Sequence, residues 1–121
     1  MKLAEINYAK FITDNNSDKV AVIHDLGSTS YRELGQLVRQ FAQQLRNNNI
    51  RAGERVIILM SDRIEWIIGF LGCLYVGAVP AVISPLLKSS KYVEALDITR
   101  ATAIISDVAK ELISDSIKIF T

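Results

Sequence analysis

Polar and apolar residues change their spacing several times along this 121-residue chain, and each change predicts an element. In "KVAVIHDLGSTSY", the β-favouring run from Val20 to Ile23 meets Asp25-Leu26-Gly27, which supplies a turn, so a short hairpin is expected. The period then becomes helical. Tyr31, Leu34, Leu37, Val38, Phe41, Ala42 and Leu45 recur at three- and four-residue steps, with Arg32, Glu33, Gln36, Arg39, Gln40 and Gln43 opposite. Ser30 and Glu33 have the spacing of a capping box at its start, and Asn47-Asn48-Asn49 breaks it. On this pattern Leu37 belongs to the buried face, and Leu37→Ala is expected to cost about 2–5 kcal/mol.

After the turn at Gly53-Glu54 comes "RVIILM", an unbroken apolar run of the kind found where both faces of a central parallel strand are covered. Ser61-Asp62 follows, and Asp62 with Glu65 offers a second capping box. The helix starting there enters a stretch, Trp66 to Leu87, with no charged side chain. Its length alone would allow a membrane span. Gly77-Ala78-Val79-Pro80 instead stops a helix, and Ala81-Val82-Ile83 reads as a short strand closed by Ser84-Pro85. The order strand, helix, strand is a βαβ unit, so the uncharged run is expected to be buried, not membrane-embedded. Gly69 and Gly72 then fall where a helix packs closely on the sheet.

The pattern repeats downstream. Ser89 or Ser90 can cap a helix through Tyr92, Val93, Leu96 and Ile98, "ATAII" is another strand, and Ser106-Asp107 opens a short helix through Leu112. Lys118-Ile119-Phe120 begins one more strand where the sequence stops. Natural domains seldom end as a buried strand starts, so a fragment of a longer protein is expected. The fold class is therefore α/β, a mostly parallel buried sheet flanked by helices with an N-terminal hairpin.

Composition narrows the chemistry. Half the residues are hydrophobic, 22% are charged and the net charge is +1, which fits a globular domain. With no basic run, nothing in the sequence calls for nucleic acid or acidic lipid as a partner. Cys73 is the only cysteine and His24 the only histidine. No internal disulfide can form, a reducing, cytoplasmic compartment is expected, and zinc would lack ligands. Cys73 lies in the uncharged run, where a thiolate is costly, and His24 reads as a strand-end residue. The N-terminus has no signal-peptide pattern. There is no phosphate-cradling glycine loop and no Ser-His-Asp set. The carboxylate pairs Asp62/Glu65 and Asp107/Glu111 sit at expected helix starts, where capping and the helix dipole account for them. No catalytic, cofactor-binding or metal-binding residue is nominated, and no cofactor is expected on these residues.

Four short motifs carry a resemblance. Ser30-Tyr31-Arg32-Glu33-Leu34, Gly53-Glu54-Arg55-Val56 and Leu74-Tyr75-Val76-Gly77-Ala78-Val79-Pro80 stand in order, with a further likeness from Asp97 to Ala103. Together they resemble the N-terminal portion of the adenylate-forming enzymes, the AMP-forming acyl- and aryl-CoA ligases and their relatives. The likeness runs from about Asn7 to Asp107. It implies a parent that uses ATP and Mg to turn a carboxylic acid into an acyl-adenylate, then passes the acyl group to CoA. The family's phosphate-binding loop, its acidic ribose- and metal-handling motifs and its catalytic lysine have no counterpart here. Residues 1–121 are thus expected to be a partial N-terminal AMP-binding domain, inert alone, whose partner is the remainder of the same enzyme. "NYAKFITDN" and "SPLLKSSKYVEALD" resemble benzoate- and coumarate-type ligases. An adenylation domain loading a carrier protein is the alternative within the family, and a free-standing α/β interaction module the alternative outside it. A fragment would also expose a sheet edge and pair with itself through it.

Overall fold

A computed structural model describes residues 7–86, 89–106 and 118–120. The first described element is a helix that the sequence pattern did not announce, α1 (Tyr8–Thr13). Six residues are too few for a periodic signal, and the helix is held by its cap. The Asn7 carboxamide oxygen accepts from Lys10 N at 3.2 Å. Its Nδ2 donates to the carbonyls of Leu74 and Tyr75, each at 3.1 Å.

The hairpin forms as expected. Strands β1 (Val20–His24) and β2 (Gly27–Ser30) pair antiparallel with His24 opposite Gly27, so Asp25-Leu26 is the two-residue turn. Ser30 ends β2 and caps α2 (Tyr31–Asn47), its Oγ accepting from Glu33 N at 3.1 Å. Helix α2 buries Leu34, Gly35, Val38, Ala42 and Leu45. Leu37 departs from expectation: it is 37% exposed, because the buried stripe is narrower than the run of apolar residues. Arg39, on the expected polar face, reaches across to donate to Thr13 O at 2.8 Å.

Four parallel strands form the sheet, β3 (Arg55–Leu59), β4 (Val79–Val82), β5 (Ala103–Ser106) and β6 (Lys118–Phe120), in the order β4-β3-β5-β6. The central, doubly covered place expected of "RVIILM" is occupied by β3. Helix α3 (Ile64–Tyr75) leads from β3 to β4 on one side, and α4 (Ser89–Thr99) leads from β4 past β3 to β5. Since such crossovers are right-handed, steps in opposite directions place their helices on opposite faces. The core divides accordingly. Val56, Ile58, Ala103 and Ile105 pack with Leu45 and Cys73, whereas Ile57, Leu59 and Ile104 pack with Tyr92 and Leu96.

The uncharged run resolves as predicted into helix, turn and strand. Helix α3 gives way at Val76 to Gly77, whose φ of +81° favours glycine, and β4 follows. Among the described residues no helix is long and apolar enough to cross a membrane. Three local expectations need correction. The α3 cap is Arg63, with no side-chain cap bond, so Asp62 sits one residue too early for its box. Ser89 and Ser90 lie inside α4, not ahead of it. A Cβ on Gly69 would meet Ile105 of the sheet at 3.2 Å, but one on Gly72 would meet Phe41 of α2, so Gly72 is a helix–helix contact. Ser106 is the last residue of β5. The helix expected through Leu112, with Asp107 and Glu111, lies outside the described residues.

Candidate functional site

A cleft of about 480 Å³ lies between the β1–β2 hairpin tip and the start of α3. The hairpin contributes Ile23 and Leu26, 84% and 91% exposed, and α3 contributes Trp66, stacked on Phe70 with ring centroids 5.2 Å apart. The two-residue turn forces this arrangement, since it leaves Leu26 no neighbour to pack on. Polar groups stand around the rim. His24 Nε2 lies 2.8 Å from Thr29 Oγ1, a tie across the hairpin, and Asp25, Asp62 and Glu65 add carboxylates. Arg63 Nε is 3.6 Å from Glu65 Oε2, both half exposed, so the pair is worth little.

In this cleft His24 is engaged within its own hairpin, its Nε2 against Thr29 Oγ1. Among the described residues no group of three or more His, Cys, Asp or Glu could hold a metal ion. Cys73 is fully buried, and desolvation pushes its thiol up to about 12, so it is protonated at neutral pH. A smaller cavity of about 110 Å³ lies where Met60 and Ile105, at the carboxyl ends of β3 and β5, meet Phe41, Ile68 and Gly69. It is apolar except at its margin. Both concavities arise between elements distant in the chain, so the one local signal of either was an apolar leucine, Leu26, within a two-residue turn.

The motif residues meet elsewhere, at the amino ends of the strands. Gly53, with φ +84°, donates its N–H to Gly77 O at 2.9 Å, and Glu54 O accepts from Val79 N at 2.7 Å. The Glu54 carboxylate accepts from Arg51 N at 2.9 Å and from Thr102 Oγ1 at 2.7 Å. The second and third motifs are therefore one structural joint that sets the register of β3 against β4 and fixes the chain entering β5. The first motif caps and seeds α2. Each of these residues builds the frame.

A parallel sheet with helices on both faces, pinned at one end by such a joint, defines an α/β fold. Comparison with known proteins places it: residues 11–119 match the family model described as AMP-binding enzyme, and the chain belongs to that family. Acetyl-coenzyme A synthetase of Nitrosomonas europaea is 33% identical over 95 residues, 74% of this chain and 14% of the synthetase. A benzoate CoA ligase from Burkholderia xenovorans LB400 superposes with a TM-score of 0.85 at 34% identity, over 94% of this chain and 25% of the ligase. The N-terminal subdomain of Klebsiella oxytoca NpsA, solved with anthranilyl-AMSN, gives a TM-score of 0.82 at 26% identity, over 93% of this chain and 29% of that one. The chain thus spans about a seventh of the length of the curated synthetase it matches.

Proposed function

We propose that this chain is the N-terminal scaffold portion of an AMP-forming acid–thiol ligase. In that reaction a carboxylate oxygen attacks the α-phosphorus of ATP, pyrophosphate leaves, and the acyl-adenylate then yields its acyl group to the sulfur of CoA with release of AMP. ATP, Mg and CoA would be bound by the remainder of the enzyme, and no residue described above is assigned a catalytic part. The contribution of residues 1–121 is a rigid sheet on which that remainder seats. The observation that carries the reading is the family match over 11–119, in which the matching motifs form the joint between Gly53, Glu54, Gly77 and Val79. A CoA acceptor is favoured by the CoA synthetase and CoA ligase among the similar proteins. A reducing cytoplasm suits the single buried thiol of Cys73.

The test is acid-dependent exchange of labelled pyrophosphate into ATP. The 121-residue chain alone should give none with acetate, benzoate or longer fatty acids. Grafted in place of the matching segment of the Burkholderia xenovorans ligase, it should restore exchange. Exchange by the chain alone would overturn the scaffold assignment. A folded graft with no exchange would overturn the family role.

A further inference from the structure

Among the described residues β4 stands at one end of the sheet and pairs only with β3, leaving its other side as an edge. Val79 and Val82 are 49% and 51% exposed, so β4 is incompletely covered, and the backbone of such an end strand is where another strand could add. The hydrogen bonds tell which residues face that edge. Val79 N donates to Glu54 O and Ile83 N donates to Ile58 O, with Ala81 between them opposite Ile57. In a parallel strand alternate residues turn both backbone groups the same way, so 79, 81 and 83 serve β3 while Pro80 and Val82 point outward. Proline has no N–H. The outward side of β4 therefore presents a single donor, Val82 N–H, and a pyrrolidine ring beside it. The strand is also only four residues long, with Pro85 soon after.

We propose that Pro80 closes the β4 edge, so that this chain does not pair with a second copy, or accept an added strand, along β4. The inference stands on backbone geometry and does not depend on the ligase reading. It runs against self-association through this one edge, which lacks half the donors a ladder needs, and leaves the β6 edge of the sheet aside. Replacing Pro80 should leave the fold intact, because its nitrogen makes no bond to β3 and its carbonyl is retained.

The experiment is disulfide trapping across the edge. Val82→Cys is introduced into the wild-type chain and into Pro80→Val, and dimer is quantified after mild oxidation. Cys73 does not compete, being buried and protonated. The Pro80 background should give little cross-link, and Pro80→Val should raise the yield at least several-fold, in step with a concentration-dependent dimer in sedimentation velocity. Equal cross-linking in both backgrounds overturns the proposal. Amide hydrogen exchange on the unmodified chain is an independent check if Pro80→Val folds poorly. The Val82 amide should exchange fast at every protein concentration, and protection that grows with concentration overturns the proposal.

Discussion

Gly72 of α3 lies directly against Phe41 of α2: a Cβ built on Gly72 would stand 2.6 Å from the Phe41 Cδ2. Real Cβ atoms do not approach so closely, so the two helices meet at a distance only glycine permits. Gly72→Ala should therefore force either the ring or the helix to move and cost about 1–3 kcal/mol. Chemical denaturation measures it. Adding Phe41→Leu, which removes the crowded ring edge, should recover part of the loss, whereas a strictly additive double variant would show that the contact is not the cause.

Leu37 and Leu45 share one helix and one side-chain type but not one environment. Leu45 is fully buried in the cluster beneath β3, and Leu37 is 37% exposed. Leu45→Ala should cost about 2–5 kcal/mol through lost burial and a cavity. Leu37→Ala should cost about 1 kcal/mol or less, as partly exposed positions do. Thermal melts of the two variants side by side decide it. Equal losses would restore Leu37 to the core.

What the sequence made legible follows from which forces are local. The switch from period two to period three-to-four at Tyr31, and the Gly77–Pro80 break, are written in consecutive residues. Hairpin, α2, β3, α3 and β4 were accordingly readable, but the expected burial of the uncharged run holds only within α3 and at Ala78, since β4 lies at the edge of the sheet with Val79 and Val82 about half exposed. Helix α1 was hidden because Asn7 bonds to Leu74 and Tyr75, partners far along the chain. The role of Gly72 was hidden because only the fold says whether a small residue faces a sheet or another helix. The larger concavity depends on how the hairpin and α3 approach each other, and the smaller on how α2 and α3 meet the ends of β3 and β5, which no window of sequence contains. The motif joint was legible as kinship, but its physical content, Gly53 bonded to Gly77, appeared only in three dimensions.

The caps of α2 and α3 offer a sharper contrast than their sequences suggest. Ser30 Oγ satisfies Glu33 N, while Asp62 makes no cap bond to α3. Ser30→Ala should lose about 1 kcal/mol. Asp62→Ala should change stability by no more than about 0.5 kcal/mol. Urea melts of both are the measurement, and a loss at Asp62 matching that at Ser30 would show that its carboxylate supports the helix after all.

Cys73 gives the chain a pH dependence in the alkaline range. Burial raises its thiol from 9.0 to about 12, so between those values the folded chain keeps a proton that the unfolded chain has released. Stability then falls as pH rises, because the unfolded state binds fewer protons there, by up to roughly 1.4 kcal/mol per pH unit. Below pH 9 the thiol is protonated in both states and contributes no slope. Other groups titrate in the same window, so the comparison is with Cys73→Ala, which lowers stability overall but should lack this part of the slope. Denaturation midpoints from pH 8 to 11 measure the difference. At pH 8 the native thiol should also resist a disulfide reagent and react only on unfolding. Prompt labelling of native Cys73, or parallel pH curves for the two proteins, would show that the thiol is not held protonated by the core.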